Sequence, residues 1–231
     1  MPDDRVLLIT GASTGIGAAT ARAAVGAGWS VVLAARSEDK LRGLAGELGE
    51  ERALVKRCDV TEFADQEALV EASLERFGRI DAAFANAGFG AARGFLKESP
   101  EQWRSMVLTN VLGAAYTVRA VLPHFKERRA GHFLLTSSVA GRRSLPGSLY
   151  SATKWAVTGM GEGLRQELRG EELDVKVTIV EPGMVDTPFF DNPVSDALEP
   201  DDIARIVMFV LDQPARVDIN EVLVRPVKQA G

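Results

Sequence analysis

The feature that most constrains the fold of this chain is a glycine-rich loop near its N-terminus. Residues 5–10 form a short apolar run, and Gly11-Ala12-Ser13-Thr14-Gly15-Ile16-Gly17 follows at once, before an alanine-rich stretch. This order predicts a strand, a tight loop and a helix. The glycines permit a sharp exit from the strand, close approach of a phosphate to the backbone, and packing of the helix on the strand. We therefore predict that a pyrophosphate binds at the N-terminus of this helix.

The way this loop ends excludes one large class of phosphate-binding protein. A phosphate loop of the ATPase type closes in Gly-Lys-Ser or Gly-Lys-Thr, because the lysine reaches the terminal phosphates. Here the loop ends in Ile16-Gly17-Ala18, without a lysine. Hydrolysis of a nucleoside triphosphate is therefore not predicted.

Beyond the loop, apolar runs alternate with amphipathic segments. The runs 31–35 and 133–135 are continuously apolar, which is typical of parallel strands buried on both faces. The segment 61–77 carries an apolar stripe beside acidic residues, as a surface helix does. The predicted strands cover residues 5–10, 30–35, 53–57, 80–85, 132–137, 175–181 and 219–224. We predict an α/β fold, a single Rossmann-type doubly wound domain over residues 1–231, with a mostly parallel sheet of about seven strands and helices on both faces.

The composition excludes several other classes of protein. A single cysteine, Cys58, rules out an internal disulfide; we expect it to be buried at a strand end, and no metal site is predicted. A net charge of -5 argues against a general nucleic-acid binder and so against a nucleic-acid partner, with a local basic patch as the alternative. The N-terminus lacks a signal-peptide pattern, and no apolar stretch approaches the ~18 residues of a membrane span. We therefore expect a cytoplasmic protein without a membrane partner.

A second informative pattern is the pair Tyr150 and Lys154. The two residues are four positions apart, so a helix brings them onto one face. Free tyrosine titrates near pH ~10, and a neighbouring cation is the obvious way to make its proton available near neutral pH. On its own the pair has an ordinary alternative, a half-buried aromatic ring beside a solvated lysine. The other motifs of the chain decide between these interpretations.

Six motifs, taken in order, resemble those of the short-chain dehydrogenase/reductase family in its compact single-domain form, and the resemblance covers nearly the whole chain. The motifs are Thr10-Gly11-x-x-x-Gly15-Ile16-Gly17, Asn86-Ala87-Gly88, Asn110, Ser138-Val139-Ala140-Gly141, Tyr150-x-x-x-Lys154 and Pro182-Gly183-x-x-x-Thr187. The resemblance implies an oxidoreductase that interconverts a carbonyl and a secondary alcohol by hydride transfer. It also implies four catalytic residues: Asn110, Ser138, Tyr150 and Lys154.

The chemistry of hydride transfer gives each of these four residues a role. Tyr150 would protonate the substrate oxygen as hydride arrives. Lys154 would lower the pKa of the phenol and hold the ribose of the nicotinamide, while Ser138 would orient the substrate oxygen. By the resemblance, Asn110 helps to position a water that links the lysine to solvent.

The choice of serine depends on its neighbours. Ser138 directly precedes Val139-Ala140-Gly141, and alternation along a strand turns Ser137 to the opposite side. Ser138 also precedes Tyr150 by 12 residues, one residue fewer than is usual in the family, so the pocket is expected to be shifted. His124 and His132 lie in no matching motif, and we expect them at surface or strand-edge positions.

The end of the second predicted strand indicates the cofactor. NAD sites commonly place an acid there, whereas here Ala35 is followed by Arg36 and Ser37. A guanidinium pairs with a 2′-phosphate, so NADP(H) is favoured. NAD(H) stays open, because Arg36 has an alternative as an ordinary exposed cation and Thr14 stands where many NADP-preferring relatives carry a second basic residue. The motifs and the resemblance together imply these cofactor contacts: Gly11, Ser13, Thr14, Gly15, Ile16, Gly17, Arg36, Ser37, Asp59, Val60, Asn86, Ala87, Gly88, Tyr150, Lys154, Pro182, Gly183, Val185 and Thr187.

Two other functions are compatible with parts of this pattern. A protein of the same fold can sense NADP(H) without turnover, since fold does not fix function. A sensor, however, has no chemical need for the phenol and the serine together. Hydrolysis by a Ser/Lys pair would use Ser138 as the nucleophile, but no G-x-S-x-G sequence surrounds it.

The substrate is predicted only as a small-molecule carbonyl/alcohol pair. The sequence 220–226 resembles that of NADP-dependent enzymes that oxidise 3-hydroxy acids or serine-like substrates, which favours that class over simple ketones and aldehydes. Arg142 and Arg143 follow the serine and are candidates to attract a carboxylate, with solvation of a loop as the alternative. Phe189 and Phe190 offer apolar contacts in a short lid, 188–199.

Self-association is also expected. Similar enzymes form homodimers or homotetramers through the helices that correspond to residues 102–124 and 150–168. Small residues there, such as Gly113, Ala156, Gly159 and Gly163, permit close approach of helices. The alternative is that these residues pack against the sheet of their own chain.

Overall fold

The core of the protein is a twisted parallel sheet. The computed structural model describes residues 5–90, 94–147, 149–189 and 194–229. Seven strands pair in the order β3-β2-β1-β4-β5-β6-β7, and every pairing is parallel. The strands are β1 (Val6–Thr10), β2 (Ser30–Ala35), β3 (Ala53–Arg57), β4 (Ala82–Ala85), β5 (Ala130–Thr136), β6 (Asp174–Pro182) and β7 (Glu221–Val224). The predicted α/β fold with about seven strands is confirmed.

Helices cover both faces of this sheet. The helices are α1 (Gly15–Gly26), α2 (Glu38–Leu48), α3 (Phe63–Phe77), α4 (Pro100–Val107), α5 (Ala114–Arg128), α6 (Leu149–Gly170) and α7 (Pro200–Leu211). The helices α1, α2 and α7 contribute buried side chains to one core, and α3, α5 and α6 contribute to the other. Side chains of β1 alternate between them: Leu8 joins the second core, while Leu7 and Ile9 join the first. The continuous apolar runs in the sequence follow from this burial on both faces.

One long helical segment combines three consecutive elements. Residues 100–128 run through α4, a π-helical turn (Leu108–Gly113) and α5. Among the residues that the structure describes, this is the one segment long and apolar enough to cross a membrane by length and composition, which corrects our expectation that no stretch approaches that length. A core helix passes the same test, and Val121 and Phe125 are buried against the sheet. Length and composition are therefore weak evidence for a membrane span.

Candidate active site

A cleft of about 410 Å³ runs along the carboxyl ends of the strands. The neighbours β1 and β4 mark the point where the strand order reverses, and open α/β sheets bind ligands in the crevice at such a point. Most of the predicted site residues line this cleft: Gly11, Ser13, Thr14, Gly15, Ile16, Arg36, Ser37, Asp59, Val60, Asn86, Ala87, Gly88, Ser138, Tyr150, Lys154, Pro182, Gly183, Val185 and Thr187. The two others, Gly17 and Asn110, are buried outside its lining.

The glycine loop forms one end of the cleft. Gly11 and Gly15 have φ angles of 68° and 54°, in the left-handed region that favours glycine. A Cβ atom on Gly17 would lie 2.3 Å from the carbonyl oxygen of Gly11, so only glycine permits this packing of α1 on the loop. Thr14 stands at the N-cap of α1 but makes no side-chain cap bond, which leaves the first N–H groups of the helix to another acceptor. This cradle fits the pyrophosphate of a dinucleotide.

Charged residues meet where β2 and β3 end. Arg36 is exposed and lines the cleft together with Asp59. The carboxylate of Asp59 accepts bonds from the N–H and the hydroxyl of Thr61, at 3.1 and 2.9 Å. Burial acts to raise the pKa of Asp59, but these bonds and the charges of Arg36 and Arg57 hold that pKa below its ordinary value. At this end of the cleft, the described lining therefore provides the guanidinium of Arg36 for a ligand. The carboxylate of Asp59 is already bonded to Thr61.

Asn86 fixes the floor of the cleft. Its side-chain amide donates to the carbonyl oxygen of Thr10 at 3.2 Å, and its backbone N–H donates to the hydroxyl of Thr10 at 3.1 Å. The hydroxyl of Thr136 donates to the side-chain oxygen of Asn86 at 3.2 Å. One side chain thus joins the ends of β1, β4 and β5.

Tyr150 and Ser138 form the polar centre of the cleft. Tyr150 lies in the first turn of α6, and Ser138 caps a short 3-10 turn (Val139–Gly141). The hydroxyl of Ser138 accepts from the N–H of Ala140 at 3.1 Å and donates to the carbonyl oxygen of Pro182 at 3.3 Å. Burial raises the pKa of Tyr150 to about 12, and a hydrogen bond with Ser138 acts to lower it. The phenol therefore keeps its proton at neutral pH.

Lys154 lies one turn further along α6 and is buried. Its ammonium donates to the carbonyl oxygen of Thr136 at 2.7 Å and lies 5.5 Å from the centroid of the Tyr150 ring. Burial lowers the pKa of Lys154 to about 8, so the ammonium is still mostly charged at neutral pH. The sequence suggested that this charge lowers the pKa of the phenol. In this structure burial dominates, and the pKa of Tyr150 is raised instead.

Asn110 lies behind the cleft, in the π-helical turn (Leu108–Gly113). Its side-chain oxygen accepts from the N–H of Phe89 at 3.0 Å, and its side-chain nitrogen donates to the carbonyl oxygen of Phe89 at 2.9 Å. The same nitrogen donates to the hydroxyl of Thr153 at 3.2 Å. Asn110 therefore connects a wall of the cleft to the helix that carries Tyr150 and Lys154. Turns of this rare kind are frequent at functional sites.

The neighbouring serine has different partners. The hydroxyl of Ser137 donates to the carbonyl oxygen of Lys154 at 2.9 Å and bonds the hydroxyl of Thr158 at 2.8 Å. The hydroxyl of Ser137 is therefore bonded to α6, whereas the hydroxyl of Ser138 acts to lower the pKa of Tyr150. The assignment of Ser138 as the catalytic serine stays a prediction.

Four further candidates lie outside the cleft lining. His132 is buried in the sheet and bonds the hydroxyl of Thr178 at 2.8 Å, and His124 is half-buried and accepts from the N–H of Ile80 at 3.1 Å. The expected surface or strand-edge position is therefore wrong for His132. Arg142 pairs with Glu181 at 2.6 Å and also with Glu221, so its charge is already neutralised. Arg143 is exposed.

Several lining residues were not predicted from the sequence. They are Ala35, Cys58, Phe89, Gly90, Thr109, Thr136, Ser137 and Pro188. Most of them directly follow a strand or adjoin a predicted motif, and that position was the signal available.

Cys58 is buried directly after β3 as expected, and burial raises its pKa to about 12. Of the two lid phenylalanines, Phe189 lines the cleft, and Phe190 lies outside the described residues.

Comparison with known proteins places this arrangement among related sequences. A family model described as short chain dehydrogenase matches residues 5–197. An uncharacterized oxidoreductase of Staphylococcus haemolyticus is 42% identical over 229 residues, which cover 96% of this chain and 97% of the relative.

Solved structures with different cofactors also share the fold. An alcohol dehydrogenase of the archaeon Thermococcus sibiricus complexed with 5-hydroxy-NADP has a TM-score of 0.90 and 34% identity, covering 98% of both chains. A serine dehydrogenase complexed with NADP+ has a TM-score of 0.90 and 32% identity, covering 98% of this chain and 96% of the other. A short chain dehydrogenase/reductase of Burkholderia phymatum in complex with NAD has a TM-score of 0.87 and 28% identity, covering 96% and 89%.

Proposed function

The chain belongs to the short chain dehydrogenase family and is an oxidoreductase; from this premise we propose that it interconverts a carbonyl and a secondary alcohol with NADP(H), using Tyr150 as acid and base. The observation that carries the proposal is that Ser138, Tyr150 and Lys154 line one cleft whose other end is the glycine cradle. A phenol and a hydroxyl on this lining can bind one substrate oxygen together.

Different residues of the chain bind the cofactor and act on the substrate. The glycine loop and Arg36 would hold the pyrophosphate and adenosine parts of the dinucleotide, and Val185 and Thr187 would hold its nicotinamide end. When bound, the nicotinamide supplies a hydride for reduction or accepts one in oxidation. Tyr150 donates a proton to the substrate oxygen, and the charge of Lys154 stabilises the phenolate that is left. Ser138 orients the same oxygen; its present bond to the Pro182 carbonyl is long, at 3.3 Å, and easily exchanged for one to substrate.

NADP(H) is the cofactor we propose. Arg36 supports this choice, because it provides a guanidinium where β2 ends and the described residues that follow β2 place no carboxylate in the cleft there. The similar alcohol and serine dehydrogenases were solved with NADP forms, while the Burkholderia phymatum protein was solved with NAD. NAD(H) is therefore the second candidate.

For the substrate we propose a neutral ketone or aldehyde and its alcohol. Phe189 supports this class: its ring lies 5.6 Å from that of Tyr150, and its Cζ atom would be 2.5 Å from a Cβ on Gly90, so an aromatic wall stands directly beside the phenol. Arg142, a candidate partner for a carboxylate, is neutralised by Glu181 and Glu221. Similarity to a serine dehydrogenase favours a second candidate, oxidation of 3-hydroxy acids.

Replacement of Tyr150 tests the chemistry. Tyr150→Phe removes the transferable proton but keeps the glycine loop, Arg36 and Lys154 in the cleft, so we expect turnover to fall by about 10²–10⁴-fold with little change in NADPH binding, measured by fluorescence titration. The chain has two tyrosines, and Tyr116, which packs on Phe63 outside the cleft lining, provides the matched control Tyr116→Phe. Wild-type turnover in Tyr150→Phe would refute the assignment. A wild type that binds NADPH but turns over no carbonyl or alcohol would support a sensor.

A substrate panel separates the two substrate classes. It contains 3-hydroxy acids, simple secondary alcohols, ketones, aldehydes and quinones, each assayed with both cofactors. We expect kcat/KM for neutral ketones or aldehydes to exceed that for every hydroxy acid. The opposite order would replace our first candidate with the second.

A further inference from the structure

An ion pair behind the cleft, with a buried carboxylate and a partly exposed guanidinium, is not explained by the proposed chemistry. Glu181 is the penultimate residue of β6 and is 1% exposed, and its carboxylate lies 2.6 Å from the Nε atom of Arg142. Arg142 also pairs with Glu221 at the start of β7. Burial raises the pKa of Glu181 above its ordinary value, although Arg142 acts to lower that pKa. Burial of the Glu181 carboxylate costs desolvation free energy that offsets its attraction to Arg142, so the pair is weak evidence for a role in stability alone.

The position of this pair suggests what it does. Arg142 directly follows the 3-10 turn (Val139–Gly141) that Ser138 caps. Glu181 directly precedes Pro182, whose carbonyl oxygen accepts the bond from the Ser138 hydroxyl. The ion pair therefore joins the segment that carries Ser138 to the strand end that lies beside its hydroxyl.

The turn is fixed to β6 at both of its ends. Before the turn, the N–H of Ser137 donates to the carbonyl oxygen of Val180 at 2.8 Å. After the turn, Arg142 binds Glu181, the next residue of the same strand. The hydroxyl of Thr158 connects the two anchors, because it bonds Ser137 at 2.8 Å and Glu181 at 3.4 Å.

Packing leaves the turn little freedom elsewhere. A Cβ atom on Gly141 would lie 2.3 Å from the hydroxyl of Ser137 and 2.9 Å from the carbonyl oxygen of Lys154. The turn is therefore packed tightly against α6. Because no space is left beside it, we expect a displacement of Arg142 to displace Ser138 as well.

We propose that Arg142 and Glu181 are positioning residues: their ion pair holds the Ser138 hydroxyl at the place where it meets the substrate oxygen. This inference rests on the proposed function, since it concerns the same reaction. It differs from a structural role because it predicts an effect on kcat at unchanged cofactor affinity. Orientation of a bound substrate is sensitive to displacements of about 1 Å.

The test uses Glu181→Gln, Arg142→Gln and the double variant in the full-length protein. Arg142→Gln leaves a buried carboxylate without its cation, while the double variant leaves two amides that can bond each other. We expect kcat to fall about tenfold or more in Arg142→Gln, less in Glu181→Gln, and to recover in part in the double variant, with KM for NADPH within about twofold of wild type. The double variant keeps the test decisive if Arg142→Gln fails to fold.

Asp81→Asn supplies the control for a general loss of stability. Asp81 is held by Arg79 and Arg128 at the opposite ends of the strands, so its replacement lowers the unfolding midpoint but leaves kcat unchanged. If Glu181→Gln and the double variant also lose stability but keep wild-type kcat, the positioning role is refuted while the proposed function stands. Absence of activity in the wild type would instead refute the proposed function.

Discussion

Asn110 and Phe89 form a reciprocal pair: the side-chain amide of Asn110 both accepts from and donates to the backbone of Phe89, at 3.0 and 2.9 Å. The amide thereby provides hydrogen-bond partners for both backbone groups of Phe89, as a neighbouring strand would. It fixes the segment after β4, which lines the cleft, to the helical segment that runs behind it.

Removal of the Asn110 side chain tests the importance of this pair. In Asn110→Ala the backbone groups of Phe89 lose both partners, so we expect stability to fall by about 1–3 kcal/mol and turnover to fall by about 10- to 100-fold. Steady-state assays and urea unfolding measure the two effects. Thr178→Ala is the control, because Thr178 is also buried with two hydrogen bonds but lies outside the cleft lining. It should lose stability only, and equal losses of turnover in both variants would contradict a specific role.

The cofactor preference depends on Arg36. In Arg36→Asp a carboxylate repels the 2′-phosphate and accepts from a ribose hydroxyl, so NADPH affinity should fall about tenfold or more, as for loss of ~1.5–3 kcal/mol, and relative use of NADH should rise. Arg42→Asp makes the same charge change on α2, where Arg42 pairs with Glu38 outside the cleft lining. This control should keep the wild-type preference. A wild type that already prefers NADH would contradict our interpretation of Arg36.

The lowered pKa of Lys154 predicts opposite effects of pH on activity and stability. Burial gives this ammonium a pKa of about 8 in the folded protein, below its ordinary value. Between that pH and the ordinary lysine pKa of about 10.4, the unfolded chain binds the proton and the folded protein does not, so folding stability rises with pH. Below pH ~8 both states are protonated and Lys154 contributes no slope. As the pH rises through this same range, turnover should fall, because Lys154 loses the positive charge that stabilises the phenolate of Tyr150.

Urea unfolding and turnover at pH 7, 8, 9 and 10 check this pair of effects, with Lys154→Met as the reference. The stability difference between wild type and Lys154→Met should move in favour of the wild type as pH rises above about 8. A difference that does not change over this range would mean that the folded lysine titrates normally.

Asp81 predicts a loss of stability in acid. Its carboxylate accepts from the N–H of Val6 at 2.8 Å and pairs with Arg79 and Arg128. Burial acts to raise its pKa, but these partners hold that pKa below the ordinary value. The stabilisation is therefore complete above the ordinary pKa of about 3.9 and is lost as the pH falls through the lower folded value. At pH 7, Asp81→Asn should cost about 1.5–3 kcal/mol.

An exposed pair provides the comparison for Asp81. Asp196 binds Lys228 at 2.7 Å, and both side chains are more than half exposed, so Asp196→Asn should change stability by less than about 1 kcal/mol. The two variants are compared by urea unfolding at pH 7 and pH 3. Equal effects at pH 7 would show that the Asp81 cluster is no stronger than a surface ion pair.

Self-association through α6 remains our expectation. Trp155 is 46% exposed, and Gly159 and Gly163, each one turn further on the same face, have open space around the Cβ position. Gly113 differs, because a Cβ there would lie 2.7 Å from Val60, so it packs within the chain. Gly163→Glu should shift light scattering at micromolar concentration from a multiple of 24.8 kDa toward the monomer, and Gly43→Glu, on the open face of α2, should not. A wild type that is only monomeric would reject the prediction.

The sequence determined the fold and most of the cleft by itself. Continuous apolar runs such as 31–35 indicate burial on both faces of a parallel sheet. The spacing of Gly11, Gly15 and Gly17 indicates a phosphate-binding loop at the start of a helix. Both signals are local in the chain. Sequence alone therefore located these residues, and the spacing of Tyr150 and Lys154 placed that pair on one helix face.

Only the tertiary structure decided how these residues act on one another. The ion pair of Arg142 and Glu181 joins positions 39 residues apart. Because of this pair, the charge of Arg142, which the sequence suggested for binding a substrate carboxylate, is already neutralised. The burial of His132 and the raised pKa of Tyr150 likewise depend on neighbours from other elements. Hydrogen bonding and desolvation depend on distances in space, and a single sequence does not contain those distances until the sheet brings its strand ends together.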